Sequence, residues 1–325
     1  MIVYLIRRIL YAIPILLIIN LITFSLFFMI NSPDDMARMH LGQKHIKPIA
    51  IIQWKEQHGY NLPLFYNADR QGVATIKDTL FFQKSIALLT FHFGMSDAGR
   101  DIGFDISERM WPSLAIAVPV LIFSLIVNIF FAMLMAFFRS SYWDTIGVML
   151  CIVLLSISSL FYIIGGQYVL AKILKILPIS GYNGGLHSLK FVLLPIIVSV
   201  LSGLGSGIRW YRTLFLEEMQ KDYVKTAQAK GLSETRILFQ HILKNTLLPI
   251  LTGVVVLIPS LFMGSLVLES FFGIPGLGSY IIDAIQQQDF SIVRVMVFLG
   301  SVLYILGLIM TDISYAIVDP RVRFR

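Results

Sequence analysis

The sequence predicts an all-α membrane protein of six transmembrane helices, with both termini cytoplasmic and a polar external insertion between helices 1 and 2. Three observations predict it. Of 325 residues, 57% are hydrophobic and only 14% charged, with a mean hydropathy of +0.78, whereas a soluble domain is about 45–50% apolar and about 25% charged. A soluble core stops growing at roughly 250–300 residues, so the apolar excess must face lipid. The apolar residues gather in runs that meet the length of about 20 residues a bilayer-crossing helix needs, and basic residues collect on alternate connections. Soluble enzymes, disordered chains and nucleic-acid binders are thereby set aside. The single cysteine, Cys151, allows no intrachain disulfide and carries no sign of redox compartment.

The six runs are 9–30, 113–138, 146–171, 191–208, 247–268 and 295–317. The first follows Arg7-Arg8, but its 22 residues exceed the apolar region of a signal peptide, and Asn31-Ser32-Pro33-Asp34 offers no small-residue cleavage site. It reads as an uncleaved anchor. The fourth contains Ser202-Gly203-Leu204-Gly205-Ser206-Gly207, small residues that let a neighbouring helix come close.

Six spans place both termini on one side. The N-terminus, the 139–145 turn, the 209–246 loop and the C-terminal tail together hold thirteen basic residues, seven of them in the loop, against four in the short connections opposite (Lys172, Lys175, Lys190 and Arg294). Segment 31–112 carries nine basic and nine acidic residues, and long loops are largely exempt from the positive-inside rule. The termini are therefore expected in the cytoplasm. The net charge of +7 is a matter of topology and needs no nucleic acid.

Outside the runs, segment 31–112 is net neutral and interrupted by Pro33, Pro48 and Pro63; its mixture of apolar and charged residues suggests a small folded insertion. The 38-residue loop 209–246 is longer than joining two spans requires, and long ordered connections tend to be functional. From 213 to 230 it has no Gly or Pro, so one helix is expected there, with Gly231 as its C-terminal cap. Ser233 can cap a second helix carrying an Ile237, Leu238, Phe239, Ile242, Leu243 stripe into the fifth span. Tyr223, Ala227 and Gly231, four apart, share one face as large, small and absent side chains, which suits a helix end pressed into a groove. A docking element and a solvated connector both fit.

The second notable loop is 269–278. Gly273, Pro275, Gly276 and Gly278 prevent a continuous helix, while Phe271, Phe272, Ile274 and Leu277 keep it apolar. A re-entrant hairpin and a plain tight turn are both compatible with this, since irregular backbone at membrane depth is tolerated only under protein cover or beside a water-filled cavity.

At these loops the chain resembles a known family. The run from Tyr223 through Val224, Lys225, Thr226, Ala227 and Gly231 to Leu232 and Ser233, followed by His241, Asn245 and Leu248-Pro249, is similar to the cytoplasmic motif of type I ABC-importer permeases. The nearest branch is the dipeptide/oligopeptide (peptide/nickel) permease B subunits. Phe272 to Gly278, Asp312 to Arg321 and Tyr4 to Leu10 resemble further hallmarks of that branch. The resemblance covers nearly the whole chain and is weakest over 31–106. The general motif opens Glu-Ala-Ala where this chain has Lys225, Thr226 and Ala227, and its later Pro falls on Lys244; the peptide branch commonly has basic residues at both places.

The resemblance implies a non-catalytic subunit that forms half of a pathway for di- or oligopeptides, with nickel as the alternative cargo. It also implies four regions: a tail and first helix (1–30), an external insertion (31–106), a permease core (107–318) and a cytoplasmic tail (319–325). Asp222, Tyr223, Thr226, Ala227, Gly231, Leu232 and Ser233 would couple to a separate ATPase subunit through an L-shaped helix. Phe272, Gly273, Pro275, Gly276 and Gly278 would form an external re-entrant loop. The implied partners are a second, homologous permease subunit in a heterodimer (a homodimer being the alternative), the ATPase, an external substrate-binding protein and membrane lipid. The implied location is the prokaryotic plasma membrane. No cofactor is expected on this chain; ATP and Mg would be used by the ATPase. The residues lining the pathway stay unassigned.

The residues agree with a non-catalytic reading. A P-loop needs Gly-Lys ahead of Ser or Thr, and no Gly-Lys dipeptide occurs in the sequence. Gly203, Gly205 and Gly207 lack the strand-helix setting of a dinucleotide site and read as helix packing. The histidines at 40, 45, 58, 92, 187 and 241 lie outside the runs, and those at 40, 45 and 58 match no compact metal site. An intramembrane protease would want a Ser or Asp pair within spans, and Asp312 reads as a helix-end contact. A secondary transporter would place ionisable groups near the midplane, where Asn20 and Asn128 are the deepest amides and read as interhelical bonds.

Overall fold

A computed structural model describes residues 2–42, 47–185 and 188–318. Lys44, His45, His187 and the tail 319–325 lie outside them. The principal helices are α1 (Ile2–Ile30), α2 (Pro33–Leu41), α3 (Pro48–Gln57), α4 (Ile102–Phe137), α5 (Tyr142–Ser156), α6 (Ser159–Ile173), α7 (Leu189–Met219), α8 (Asp222–Ala229), α9 (Glu234–Met263), α10 (Leu266–Phe272), α11 (Leu277–Gln286) and α12 (Phe290–Val318). The one β pairing among the described residues is an isolated bridge between Met95 and Asp101. The all-α expectation holds, and the chain is a multi-span membrane protein.

The spans differ from expectation in detail. Five helices, α1, α4, α7, α9 and α12, are each long and apolar enough to cross a membrane; α5–α6 and α10–α11 qualify only as pairs bent by 88° and 84°. The third run is thus two helices. Ile157 is extended (φ −90°, ψ 124°) between them, in the stretch Ser156-Ile157-Ser158-Ser159. Serines offer the backbone competing local bonds: the Ser156 hydroxyl donates to the Ile152 carbonyl (2.9 Å), and the Ser158 carbonyl receives the Phe161 amide (2.9 Å). The fifth span stops at Met263, before Gly264 (φ +67°), rather than at Leu268. The second begins at Ile102, passing through Pro112 and Pro119, and the fourth runs on to Met219, about three turns into the expected loop.

Two compact units result. The first comprises the residues up to Glu108 with Ile281–Ile309. Two of the prolines that seemed to interrupt segment 31–112 in fact open helices, Pro33 in α2 and Pro48 in α3, because the missing N–H is unneeded in a first turn. Ser32 and Asp35 add a reciprocal capping box at α2. The core joins Phe24 and Phe28 of α1 to Met36, Trp54, Tyr60 and Leu80. His40 and His58 flank the Trp54 ring, with centroids 5.2 and 4.3 Å away. Asn20 bonds not to another span but to the connecting segment, its amide donating to the Ser85 carbonyl (2.6 Å). Asn20 precedes the end of α1 by ten residues, so this segment lies about 15 Å down the helix.

A buried polar network completes this unit. The Asp97 amide donates to Asp289 (2.9 Å), and the Ser291 and Tyr60 hydroxyls donate to Asp97 at 3.2 and 3.4 Å. The Lys84 ammonium donates to the His58 carbonyl (2.7 Å) and sits 3.9 Å from the centre of the Tyr60 ring. Burial first, and repulsion from Arg294 second, bring Lys84 down to about 8 against the opposing pull of Asp97 and Asp289. Burial, reinforced by Asp97, pushes Tyr60 up to about 12.

The second unit takes Arg109–Tyr280 with residues from Met310 onward. Here α7 packs closely on α4 and α5. A Cβ on Gly205 would stand 2.7 Å from the Cys151 carbonyl oxygen, and one on Gly207 would overlap the Asn128 amide. Gly203 has nothing within 4 Å. The expected small-residue contact therefore uses two of the three glycines, and Asn128 is packed against α7. Phe215, Ala136, Cys151, Ile208, Ile237 and Ile242 share one core in this unit, and Val192, Leu194, Phe272 and Ile274 belong to another.

Candidate functional site

The corner from α7 through α8 into α9 contains the expected coupling residues. The single helix expected over 213–230 is broken: α7 ends at Met219, Lys221 is extended (ψ 149°), and α8 starts at Asp222. Glu218 holds the corner, receiving the Lys221 ammonium (2.6 Å) on one oxygen and the Tyr223 hydroxyl (2.9 Å) on the other. Burial, with the Glu218 carboxylate reinforcing it and a bond to Asn245 opposing it, pushes the Tyr223 phenol up to about 12.

Tyr223 and Ala227 face inward. Ala227 and Val224 are 7% and 3% exposed and pack with Phe215, Ile237, Leu238 and Ile242, and Tyr223 packs against the same cluster. The exposed face is Asp222, Lys225, Thr226, Ala229 and Lys230, with the Lys225 ammonium donating to Asp222 (2.9 Å). Spacing puts 223, 227 and 231 on one face suited to a groove on a partner; instead Tyr223 and Ala227 turn inward, because apolar neighbours on α9 cover them within this chain. Gly231 has φ +76°, and a Cβ there would find no atom within 4 Å: the residue serves the turn and fills no contact. Leu232 is half-buried, and its amide donates to the Ala227 carbonyl (3.3 Å). Ser233 occupies the N-cap position of the next helix, but its side chain makes no cap hydrogen bond.

Two anchors here escaped the sequence reading. Asp144 on α5 is clasped by both Arg212 Nε and Nη2 from α7. Neither residue belongs to a recognisable spacing, since they lie 68 positions apart. The second anchor is Glu269, within the α10–α11 elbow.

The elbow places the expected loop residues in distinct roles. Phe272 is 1% exposed, and its carbonyl receives the Gly181 amide (2.9 Å). Gly273 takes a left-handed backbone (φ +61°) that ends α10, Pro275 is exposed, and Gly276 and Gly278 are buried. The reason for the last two is Glu269, itself 1% exposed. One carboxylate oxygen receives the Ser113 hydroxyl (2.8 Å) and the Ser265 amide (3.1 Å); the other receives the amides of Gly278 (2.7 Å) and Ser279 (3.1 Å). Ser113 in turn receives the Leu277 amide (2.8 Å). The orphan amides at the start of α11 are thus capped from α10 and α4. A Cβ on Gly276 would overlap the carboxylate, and one on Gly278 would stand 2.5 Å from the Ser265 carbonyl carbon. A lone acid in an apolar run was the available signal.

Known proteins share this arrangement of sequence. Residues 1–93 match the N-terminal family of binding-protein-dependent transport system membrane components, and residues 128–324 match the binding-protein-dependent transport system inner membrane component family. A dipeptide transport system permease protein of Alkalihalophilus pseudofirmus is 26% identical over all of both chains. An oligopeptide transport system permease protein of Bacillus subtilis is 30% identical over 99% of each chain, and a glutathione transport system permease protein of Salmonella choleraesuis is 26% identical over 99% of each. With matches that run nearly from end to end and at least five apolar spans, this chain belongs to the binding-protein-dependent transport system inner membrane component family: it is a non-catalytic, multi-pass permease subunit of an ABC importer, in the plasma membrane.

Proposed function

We propose that this subunit forms half of a translocation pathway for di- and oligopeptides and couples it to a separate ATPase through the α8 corner. The observation that carries the coupling role is mechanical. α8 is fastened to α7 through Glu218 and to α9 through the Ala227 and Val224 packing, and α9 continues as one helical segment from Glu234 to Met263. A force on the polar outer face of α8 is therefore delivered to a membrane helix. That face carries Asp222, Lys225, Thr226 and Lys230, so the contact with the ATPase is charged and polar, with Tyr223 supporting it from behind.

In this reading both termini and the α8 corner are cytoplasmic, and ATP and Mg are used by the ATPase. The other half of the pathway is a second, homologous permease subunit. The external region, 31–106, helps receive a substrate-binding protein. Peptide cargo is favoured over nickel because the relatives above are named for dipeptide, oligopeptide and glutathione transport. The test is to purify the chain with the proteins that assemble on it and measure ATP hydrolysis with its binding protein present. Short peptides should raise the rate and nickel should not. A rate indifferent to peptides, or raised only by nickel, refutes the peptide assignment.

A further inference from the structure

The Glu269 cage closes one end of a cavity of about 360 Å³ within the second unit, bordered by α4, α7, the end of α9 and α10. Its walls set the hydroxyls of Ser124, Ser199 and Ser260 among Val120, Leu257 and Leu261. Ser260 bonds back to its own helix at the Leu257 carbonyl (2.7 Å). The hydroxyls of Ser124 and Ser199, by contrast, make no hydrogen bond to any described residue. Another hollow of the same unit, about 390 Å³ between Phe131, Leu134, Trp143 and Leu150, presents no hydroxyl. Lipid chains suit the second hollow, whereas unpartnered hydroxyls in the first have no use for hydrocarbon.

No free charge reaches the serine-lined cavity. Glu269 borders it, yet both carboxylate oxygens are occupied by donors from Ser113, Ser265, Gly278 and Ser279. A peptide leaving water needs partners for its amide groups, because burying them unpaired costs several kcal/mol on apolar transfer scales. Hydroxyls both donate and accept, and they offer neutral partners that hold a substrate without trapping it. Aliphatic walls accept apolar side chains and repel charged ones by leaving them undersolvated.

We propose that this cavity is a passage subsite for uncharged, apolar peptide segments, with Ser124 and Ser199 meeting the peptide backbone and Glu269 acting as the positioning residue that holds the α10–α11 elbow as its end wall. The proposal rests on the peptide-importer reading above and extends it to named residues.

The experiment uses the assembled importer in proteoliposomes. In a Cys151→Ser background, cysteines are placed singly at Ser124, Ser199 and, for comparison, Ile126, which is 59% exposed on α4 and does not line the cavity. A small methanethiosulfonate that is water-soluble but uncharged, carrying a hydroxyl in place of a charge, should modify positions 124 and 199 faster than 126. Trileucine should slow modification at 199, and triglutamate should not. Independently, Ser199→Phe, which narrows the passage, should lower trileucine uptake about tenfold. Slow modification at all three positions assigns the cavity to lipid and overturns the proposal. So does a Ser199→Phe complex that assembles and imports trileucine at the unmodified rate. If peptides stimulate ATP hydrolysis but trileucine gives no protection at 199, the subsite alone fails; if no peptide stimulates hydrolysis, both readings fail.

Discussion

Arg212 clasps Asp144 through two parallel bonds, Nε to Oδ1 at 2.9 Å and Nη2 to Oδ2 at 2.7 Å. The pair joins the far end of α7 to the first turn of α5, and the side chains are 22% and 10% exposed. Asp144 also receives the Ser140 amide (3.2 Å), so the carboxylate fixes the preceding turn as well. It lies just beyond the stretch where α7 approaches α5 at Gly205, and it sets the angle at which α7 heads towards the α8 corner.

Removing one partner leaves the other charge with little solvent. Arg212→Ala should therefore destabilise the subunit by roughly 3 kcal/mol, as breaking buried pairs commonly does, whereas a joint Arg212→Met, Asp144→Leu exchange should recover most of the loss. Thermal unfolding of the detergent-solubilised importer measures both. Equal loss in the single and double variants would show that the pair does more than neutralise itself.

Gly231 separates backbone geometry from contact. Its φ is +76° and a Cβ there would meet nothing within 4 Å, so a substitution acts through the backbone alone. A left-handed residue costs about 1–2 kcal/mol for ordinary side chains, and Asn tolerates it better. Gly231→Val should lower ATPase-coupled uptake while Gly231→Asn retains most of it, with both variants inserting normally. Indistinguishable uptake in the two would remove the turn from the coupling argument.

The Lys84 network carries a pH signature. Its folded value of about 8 lies below the ordinary 10.5, so from pH 8 upward the unfolded chain holds a proton that the folded one has released. Stability should rise with pH over that interval. Tyr60, raised from 10.0 to about 12, works in the opposite sense: above pH 10 the folded chain keeps a proton the unfolded chain has lost, and stability falls. Melting temperatures should climb from pH 8 to about 10 and then decline. Lys84→Met should flatten the climb; a variant with the same rise would assign the proton to another group.

Orientation is a separate expectation, resting on the distribution of basic residues. Reporter fusions should place Lys230 in the cytoplasm and Gln57, at the end of α3, outside. Finding both on one side would overturn the topology and with it the cytoplasmic coupling corner.

Several features were legible in the sequence because their cause is local. Apolar runs of sufficient length announce spans wherever they occur, Gly231 and Gly273 mark helix ends because only glycine takes a left-handed backbone freely, and the motifs around Tyr223 and Phe272 carried the family. Two prolines of the connecting segment misled, since Pro33 and Pro48 start helices as readily as they interrupt them. The bend at Ile157 was hidden for a different reason: in a run apolar on every face, lipid and protein core select the same residues, so composition does not reveal a break.

By itself, then, the sequence determined that this is an all-helical, multi-span permease and that its chain turns at Gly231 and Gly273, because span length, capping and glycine backbone freedom are properties of neighbouring residues. Only the tertiary structure decided which face of α8 is buried, that Asp144 belongs to Arg212, and that Glu269 closes a cage with Ser113 from 156 positions away. Those choices depend on which surfaces meet after the helices pack. A buried carboxylate is stable only where several donors converge, and that convergence is a property of the assembled fold.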